Sequence, residues 1–506
     1  MIRNALAALG WLGLILAAAS ASADEQPITV KVEQGAIVGR TDGAIDVFKS
    51  VPFAAPPVGP LRWAPPRPAA AWSAPREASA YGPACPQPID PSGKPNGAGY
   101  VGPTSEDCLN LNVFAPHGAR RAPVMVWIFG GGDTMGANAV PSNDGTNFAR
   151  DGVILVSINY RLGALGFFAH PALTRAAAAG EPIANYGVMD QIAALRWIRR
   201  NIKAFGGDPD NVTIFGESAG GANVLTLMTT PAARGLFQKA SVESGGGWEP
   251  EPGLAAAEAD GQALAQKLGL PPDASVEQLR ALPLDRLVGA GGRYGPLVDG
   301  RLIAEDRVRA FARGDQARVP LIIGSNDYEA SLLPKAAEAA YLAKFPPQTK
   351  AVYAAEASDP SALADALFTD DFGGGPARWI ARQQSRLAPA WLYEFTYVRV
   401  NRRGKIPGAN HTSEIPYVFD SQMAVPVYKL EIQDEDRAMA AKVHSCWVAF
   451  AKTGRPACAG GPSWPAYSPA SDLMMDFGRA LVVLRHWRKP ELDAVERAEG
   501  AKLDGR

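Results

Sequence analysis

Val212-Thr213-Ile214-Phe215-Gly216-Glu217-Ser218-Ala219-Gly220 leads from a short apolar run, through a serine between glycines, into Ala219 to Thr229. Val212 to Phe215 is too short for a helix and reads as a buried strand, while Ala219 to Thr229 is long enough to be the helix that follows it. In a chain with 52 glycines the bare Gly-x-Ser-x-Gly match carries little weight. The strand-turn-helix setting gives it meaning, because a nucleophilic serine must stand on a strained, exposed turn. Glycine on either side lets strand and helix approach without Cβ clashes. The helix start at Ala219 adds a positive dipole end and free amide donors next to the Ser218 hydroxyl. The plain alternative, an inert serine in a glycine-rich turn, does not account for that setting.

Outward from this stretch the same alternation continues. Val124 to Phe129 and Val153 to Ile158 are apolar runs rich in Val and Ile, bounded by Gly, Pro or Asp, as expected of buried parallel strands. Asp190 to Phe205 carries Ile192, Leu195, Ile198 and Ile202 at helical spacing, interleaved with Arg196, Arg199 and Arg200, and Gly206-Gly207 stops it. Strand, crossover helix and strand in repetition predict an α/β fold with a central, mostly parallel sheet flanked by helices. Residues 253–318 and 334–385 are helical in pattern and read as insertions around the active site. Gly130-Gly131-Gly132, directly after the first of these strands, offers backbone amides free of side chains. Gly131, Gly132 and Ala219 are therefore the candidate oxyanion hole, the alternative being turn chemistry alone. There is no internal repeat, and residues 24–506 read as a single domain.

The chain has 506 residues, 47% of them hydrophobic, enough for a large core. Fifty basic against 51 acidic side chains leave a net charge of −1, with no general pull toward nucleic acid or anionic membrane. Arg3, the apolar run Ala5 to Ala19 and Ala21-Ser22-Ala23 before Asp24 form a signal-peptide pattern over residues 1–23. A membrane anchor is the alternative, but the run is shorter than the roughly 20 apolar residues a bilayer requires. Cleavage after Ala23 would give a secreted or periplasmic protein without a membrane span. The four cysteines, Cys85, Cys108, Cys446 and Cys458, fall as two close pairs, which in an exported chain read as disulfides rather than a metal site. Three pairings exist in principle, local pairing is the economical one, and two free buried thiols are the alternative for Cys446 and Cys458.

With these motifs in view, the chain resembles the type-B carboxylesterase family, which includes cholinesterases and many bacterial esterases. The resemblance runs over nearly the whole mature length. It is carried by Phe53 to Gly59 with Leu61-Arg62-Trp63, Ser105 to Val113, Asn159-Tyr160-Arg161-Leu162-Gly163, Asn185 to Gln191, Phe215 to Gly221, and Pro296 with Val298-Asp299-Gly300. It implies an α/β-hydrolase fold and a carboxylic-ester hydrolase acting through a covalent acyl-enzyme on small to medium neutral esters. Ser218 would be the nucleophile. The resemblance puts the acid at Glu329 in Ile323 to Ala330, where Tyr328 and Ala330 replace the usual Asp and Gly, and Asp327 competes for the role. It puts the base at His411, ahead of Glu414-Ile415-Pro416-Tyr417-Val418-Phe419. The order Ser, Glu, His is the order expected of the fold.

Ser244 matches a serine that hydrogen-bonds the acid, and Glu217 is grouped with it as a supporting residue. Arg62 is expected to pair with Glu106, and Arg161 with Asp190; only burial would make those pairs structural. His117, His170, His444 and His486 have no partner motif or zinc-ligand spacing, so no metal or cofactor is expected. Neutral His411 would make activity rise with pH through roughly 6 to 7. Phe129 replaces the usual His, and Asp133 stands where an aromatic is usual, which should reshape the pocket. A cholinesterase is disfavoured because the segment between Cys85 and Cys108 lacks the Trp that would bind a cation. A lipase for longer acyl chains is disfavoured because that segment is rich in Pro and Gly. A noncatalytic adhesion or binding module on the same fold is disfavoured by the presence of Ser218.

Overall fold

The computed structural model describes residues 25–504 apart from 249, 355, 356, 358 and 430, so the expected signal peptide lies outside the described residues. Among these residues thirteen strands form one sheet. They are β1 (Gln26–Val32), β2 (Gly35–Thr41), β3 (Ile45–Pro52), β4 (Arg76–Glu77), β5 (Asn110–Pro116), β6 (Ala122–Ile128), β7 (Ile154–Ile158), β8 (Gly207–Glu217), β9 (Lys239–Glu243), β10 (Leu321–Asn326), β11 (Ala390–Phe395), β12 (Leu473–Phe477) and β13 (Leu481–Arg485). Their order is β1-β2-β3-β5-β7-β6-β8-β9-β10-β11-β12-β13, with β4 against β2. The run from β7 through β6, β8, β9, β10 and β11 to β12 is parallel. Antiparallel strands extend it at both ends.

The central strands are continuous apolar runs because helices cover both their faces. Val124 to Trp127 and Ile154 to Val156 are buried throughout. At the edge, β1 turns Thr29 and Lys31 to solvent and buries Val32, the alternation of a strand with one wet face. The predicted strand Val212 to Phe215 is the inner part of β8, which pairing with β6 lengthens back to Gly207. The predicted helix beginning at Asp190 starts at Tyr186 and runs to Asn201, since Tyr186, Val188 and Met189 also pack into the core. Its last turn tightens over Ile202–Phe205, and Gly206 ends it at φ +80°. Both segments expected as insertions are helical: Leu254–Lys267 and Arg307–Arg313 belong to the first, Pro360–Thr369 and Gly375–Ser385 to the second.

Both local cysteine pairings are present, Cys85 with Cys108 and Cys446 with Cys458. Among the described residues no helix is long and apolar enough to cross a membrane. Arg161 grips Asp190 through two hydrogen bonds of 2.8 Å with both side chains buried. Arg62 meets Glu106 through Nε at 2.8 Å and is also largely buried. Both pairs are structural, because removing one partner would leave a buried charge uncompensated at a cost of about 3–5 kcal/mol. The parallel strands share a direction, so the loops after β6, β8, β9 and β10 emerge at one end of the sheet.

Candidate active site

At the end of β8 the chain turns on Ser218, at φ +56° and ψ −127°, a conformation L residues seldom adopt. Neighbours hold it there: Ser218 N donates to Glu243 O at 2.9 Å, and Ala222 N donates to Ser218 O at 2.9 Å. A Cβ on Gly216 or Gly220 would run into the carbonyl oxygen of Ile128, so both flanking glycines are required by the close approach of β6, β8 and the helix Ala219–Thr229.

The glycine turn after β6 packs directly against this serine. A Cβ on Gly130 would stand 2.9 Å from Ser218 Cβ and 3.0 Å from Glu217 Oε2. Gly131, Gly132 and Asp133 follow with φ of +96°, +63° and +55°, and Thr134 N and Met135 N both donate to Gly131 O at 3.2 Å. Beside the turn lies a cleft of about 150 Å³ with Thr134, Leu162, Leu165, Leu287, Val288 and Tyr294 on its walls. Ser218 and His411 are not among its lining residues.

Two further loops bring in the histidine and the carboxylates. His411 Nδ1 lies 2.6 Å from Glu329 Oε2. The other oxygen of Glu329 accepts from Ser244 Oγ at 2.6 Å and from Asn326 N at 2.8 Å. Asp327 does not reach the ring; its Oδ1 accepts from Ala409 N at 2.6 Å. Tyr328 N donates to Ala409 O at 3.1 Å, Asn326 Nδ2 to Asn410 O at 2.9 Å, and His411 N to Ser331 Oγ at 2.9 Å. The loop after β10 is thus tied along its length to the loop that carries His411.

On the far side of the ring, His411 Nε2 lies 3.0 Å from Glu217 Oε1. The two are not aligned as a hydrogen bond, and among the described residues neither atom has a hydrogen-bond partner. Burial works against a charged ring, but Glu217 and Glu329 outweigh it and hold His411 well above the ordinary histidine range. This differs from the expected rise through roughly 6 to 7, because the sequence does not show that a second carboxylate meets the ring. Burial, with Glu217 adding repulsion, pushes Glu414 up to about 8. Burial and the charges of Glu414 and Glu217 push Glu243 well above the carboxylate range. Phe372 closes the site with its ring edge-on to His411, centroids 5.6 Å apart.

Of the residues singled out from sequence, Glu217, Ser244, Glu329 and His411 meet here, and Ser218 adjoins them as the chain neighbour of Glu217 and packs against the glycine turn at Gly130. The remaining histidines lie elsewhere, against Asp46 (His117), Ala172 N (His170), Val418 O (His444) and Asp472 (His486). The sequence reading did not single out Asn326 or Ser331. Nor did it assign a role to Glu414, although that residue sits in the motif after His411. Asn326 and Glu414 meet through an Asn326 Nδ2 to Oε2 hydrogen bond of 2.5 Å. A polar residue at the end of a buried strand was the only available signal for Asn326.

The model of the carboxylesterase family matches residues 26–344 and 335–495. The fumonisin B1 esterase of Sphingopyxis macrogoltabida is 33% identical, the alignment covering 94% of this chain and 91% of that protein. The para-nitrobenzyl esterase of Bacillus subtilis (strain 168) is 36% identical over 87% of this chain and 92% of its own length. A Geobacillus stearothermophilus carboxylesterase structure superposes with a TM-score of 0.79 at 31% identity, covering 92% of this chain and 99% of that one. With this likeness the mostly parallel sheet and its flanking helices are an α/β-hydrolase fold. The chain belongs to the carboxylesterase family and is a carboxylic-ester hydrolase.

Proposed function

We propose that the protein hydrolyses small to medium neutral carboxylic esters by two-step acyl transfer, with Ser218 as nucleophile, His411 as general base and Glu329 as the acid that orients it. The observation that carries this reading is the 2.6 Å approach of His411 Nδ1 to Glu329 Oε2, with Nε2 on the side of the ring where Glu217, the chain neighbour of Ser218, stands. His411 takes the Ser218 proton as Oγ attacks the ester carbonyl, and the resulting oxyanion is met by the amides of Gly131, Gly132 and Ala219. The alcohol leaves with the proton from His411; water then attacks the acyl-enzyme by the same route and releases the acid. Ser244 and Asn326 N fix the second oxygen of Glu329, leaving Oε2 for the ring.

In this reading residues 24–506 are one hydrolase domain, exported after removal of residues 1–23, and the two disulfides fit an oxidising compartment. The test is turnover of p-nitrophenyl esters of increasing chain length, together with labelling by an organophosphonate. Wild type should turn over the shorter esters and be labelled on Ser218, and Ser218→Ala should do neither while keeping its fold. Labelling of the Ala variant would overturn the reading.

A further inference from the structure

Asp133 follows the two glycines assigned to the oxyanion hole and is not used by the mechanism above, yet it is buried at 4% exposure. Its Oδ1 accepts from Asn223 Nδ2 at 2.7 Å. Asn223 is fully buried on the helix Ala219–Thr229, one turn beyond Ala219 and on the same helix face. Tyr160 OH lies 3.4 Å from the same oxygen and donates at 2.7 Å to Phe129 O, at the entrance to the glycine turn. The main-chain oxygen of Asp133 accepts from Gly163 N at 2.7 Å. The amides that would meet the oxyanion come from two separate segments, the glycine turn and the helix start. Asp133 is bonded directly to the helix that presents the second.

We propose that Asp133 is a positioning residue of the oxyanion hole: its carboxyl clamps the turn carrying Gly131 and Gly132 to the helix carrying Ala219, through Asn223. A hole built from two segments works only if its donors keep fixed positions relative to one another, since preorganisation is what stabilises the oxyanion. The clamp also helps to hold Asp133 at φ +55°, a backbone conformation that non-glycine residues adopt uncommonly. Burial pushes this carboxyl up to about 7, while Asn223, Tyr160 and Arg307 pull it down. Arg307 is itself paired with Glu251 at 3.0 Å. Asp133 is thus held mainly by the Asn223 hydrogen bond, which an amide at position 133 can also accept.

The inference rests on the Ser218 reading, and the experiment separates the two. Asp133→Ala, Asn223→Ala, the double variant and Asp133→Asn are compared in kcat per phosphonate-titrated site, in KM, and in affinity for a trifluoromethyl ketone. That ketone takes Ser218 Oγ on its carbonyl carbon, passes the serine proton to His411 and leaves its oxygen as an oxyanion. Each Ala variant should lose at least about tenfold in kcat, less than the about 10²- to 10³-fold cost of removing an oxyanion donor outright, because the donors are displaced and not deleted. Ketone affinity should fall by a similar factor and KM should stay within about threefold. The double variant should be no worse than the single ones, as for two halves of one contact, and Asp133→Asn should recover most of the loss. A residue that only supports folding would lower the yield of titratable sites and leave kcat per site intact. That result, or losses that multiply in the double variant, would overturn the proposal. If Asp133→Ala does not fold, Asn223→Ala decides it, a wild-type kcat per site counting against the clamp. Absence of phosphonate on Ser218 in wild type would instead remove the underlying reading.

Discussion

Glu217 and Glu329 face the two nitrogens of His411 from opposite sides, Glu217 Oε1 3.0 Å from Nε2 and Glu329 Oε2 2.6 Å from Nδ1. A ring between two carboxylates is easier to protonate, and only the neutral ring can take the serine proton. The pH–kcat/KM profile from pH 5 to 10 should therefore rise through a pKa above the ordinary histidine value. Glu217→Gln keeps the shape and removes one negative charge, so it should move that rise to lower pH by about one pH unit. A profile that stays in place in Glu217→Gln would show that Glu217 does not tune the base.

The buried Glu414 contributes to the pH dependence of stability. Its folded-state value, pushed from 4.5 up to about 8, means that the folded protein holds this proton more tightly than the unfolded chain. A group raised in this way contributes fully below the unfolded value, and its contribution is lost as pH rises through the folded one. Through this group wild-type Tm should fall between about pH 4.5 and 8. Glu414→Gln cannot ionise, and its side-chain oxygen can still accept from Asn326. It should flatten that fall and exceed wild type by a few degrees at pH 9. Parallel melting curves for the two proteins would count against this assignment.

Gln87 links the Cys85–Cys108 segment to the exit of the glycine turn, donating to Gly136 O at 2.7 Å and accepting from Gly136 N at 2.8 Å. Asn96 donates to the same Gln87 oxygen at 2.8 Å. Gln87→Ala would leave both Gly136 groups buried without these partners, a loss of about 1–3 kcal/mol each at most. Replacing both cysteines by serine should cost about 3 kcal/mol by the chain-entropy account. Denaturant unfolding of the two variants checks both figures, and a Gln87→Ala protein as stable as wild type would mean that water replaces the link.

What was legible in the sequence was local. The strand-turn-helix around Ser218 shows because an apolar run, a glycine pair and a helical period meet within one short stretch. Val212 to Phe215 could be read as a strand, but the extension of β8 back to Gly207 could not, since pairing of Gly207 with Ala122 creates it. The helix start at Tyr186 was hidden for a similar reason: the burial of Tyr186 and Val188 comes from tertiary packing. At the site, residue types and chain order were readable, and distances were not. Glu217 on the far side of His411 and the Asp133 to Asn223 contact join segments far apart in sequence, with no periodicity to announce them.

The acid itself is the sharpest test, because Glu329 and Asp327 lie on the same loop and only their contacts separate them. Glu329 Oε2 faces His411 Nδ1, and its other oxygen is occupied by Ser244 and Asn326 N. Asp327 instead accepts from Ala409 N, and burial pushes it up to about 6. An amide at 329 would keep the shape but favour the wrong imidazole tautomer, a change that costs about 10⁴-fold in a related geometry. An amide at 327 can still accept from Ala409 N through its oxygen, so the backbone under His411 stays in place. Glu329→Gln should thus lower kcat by at least about 10²-fold, while Asp327→Asn should change it by less than about tenfold. Single-turnover kinetics on a p-nitrophenyl ester would read both, with active sites titrated so that unfolded enzyme is not counted. The reverse ordering would transfer the role to Asp327, and near-wild-type rates in both variants and in the double variant would take a carboxylate acid out of the mechanism.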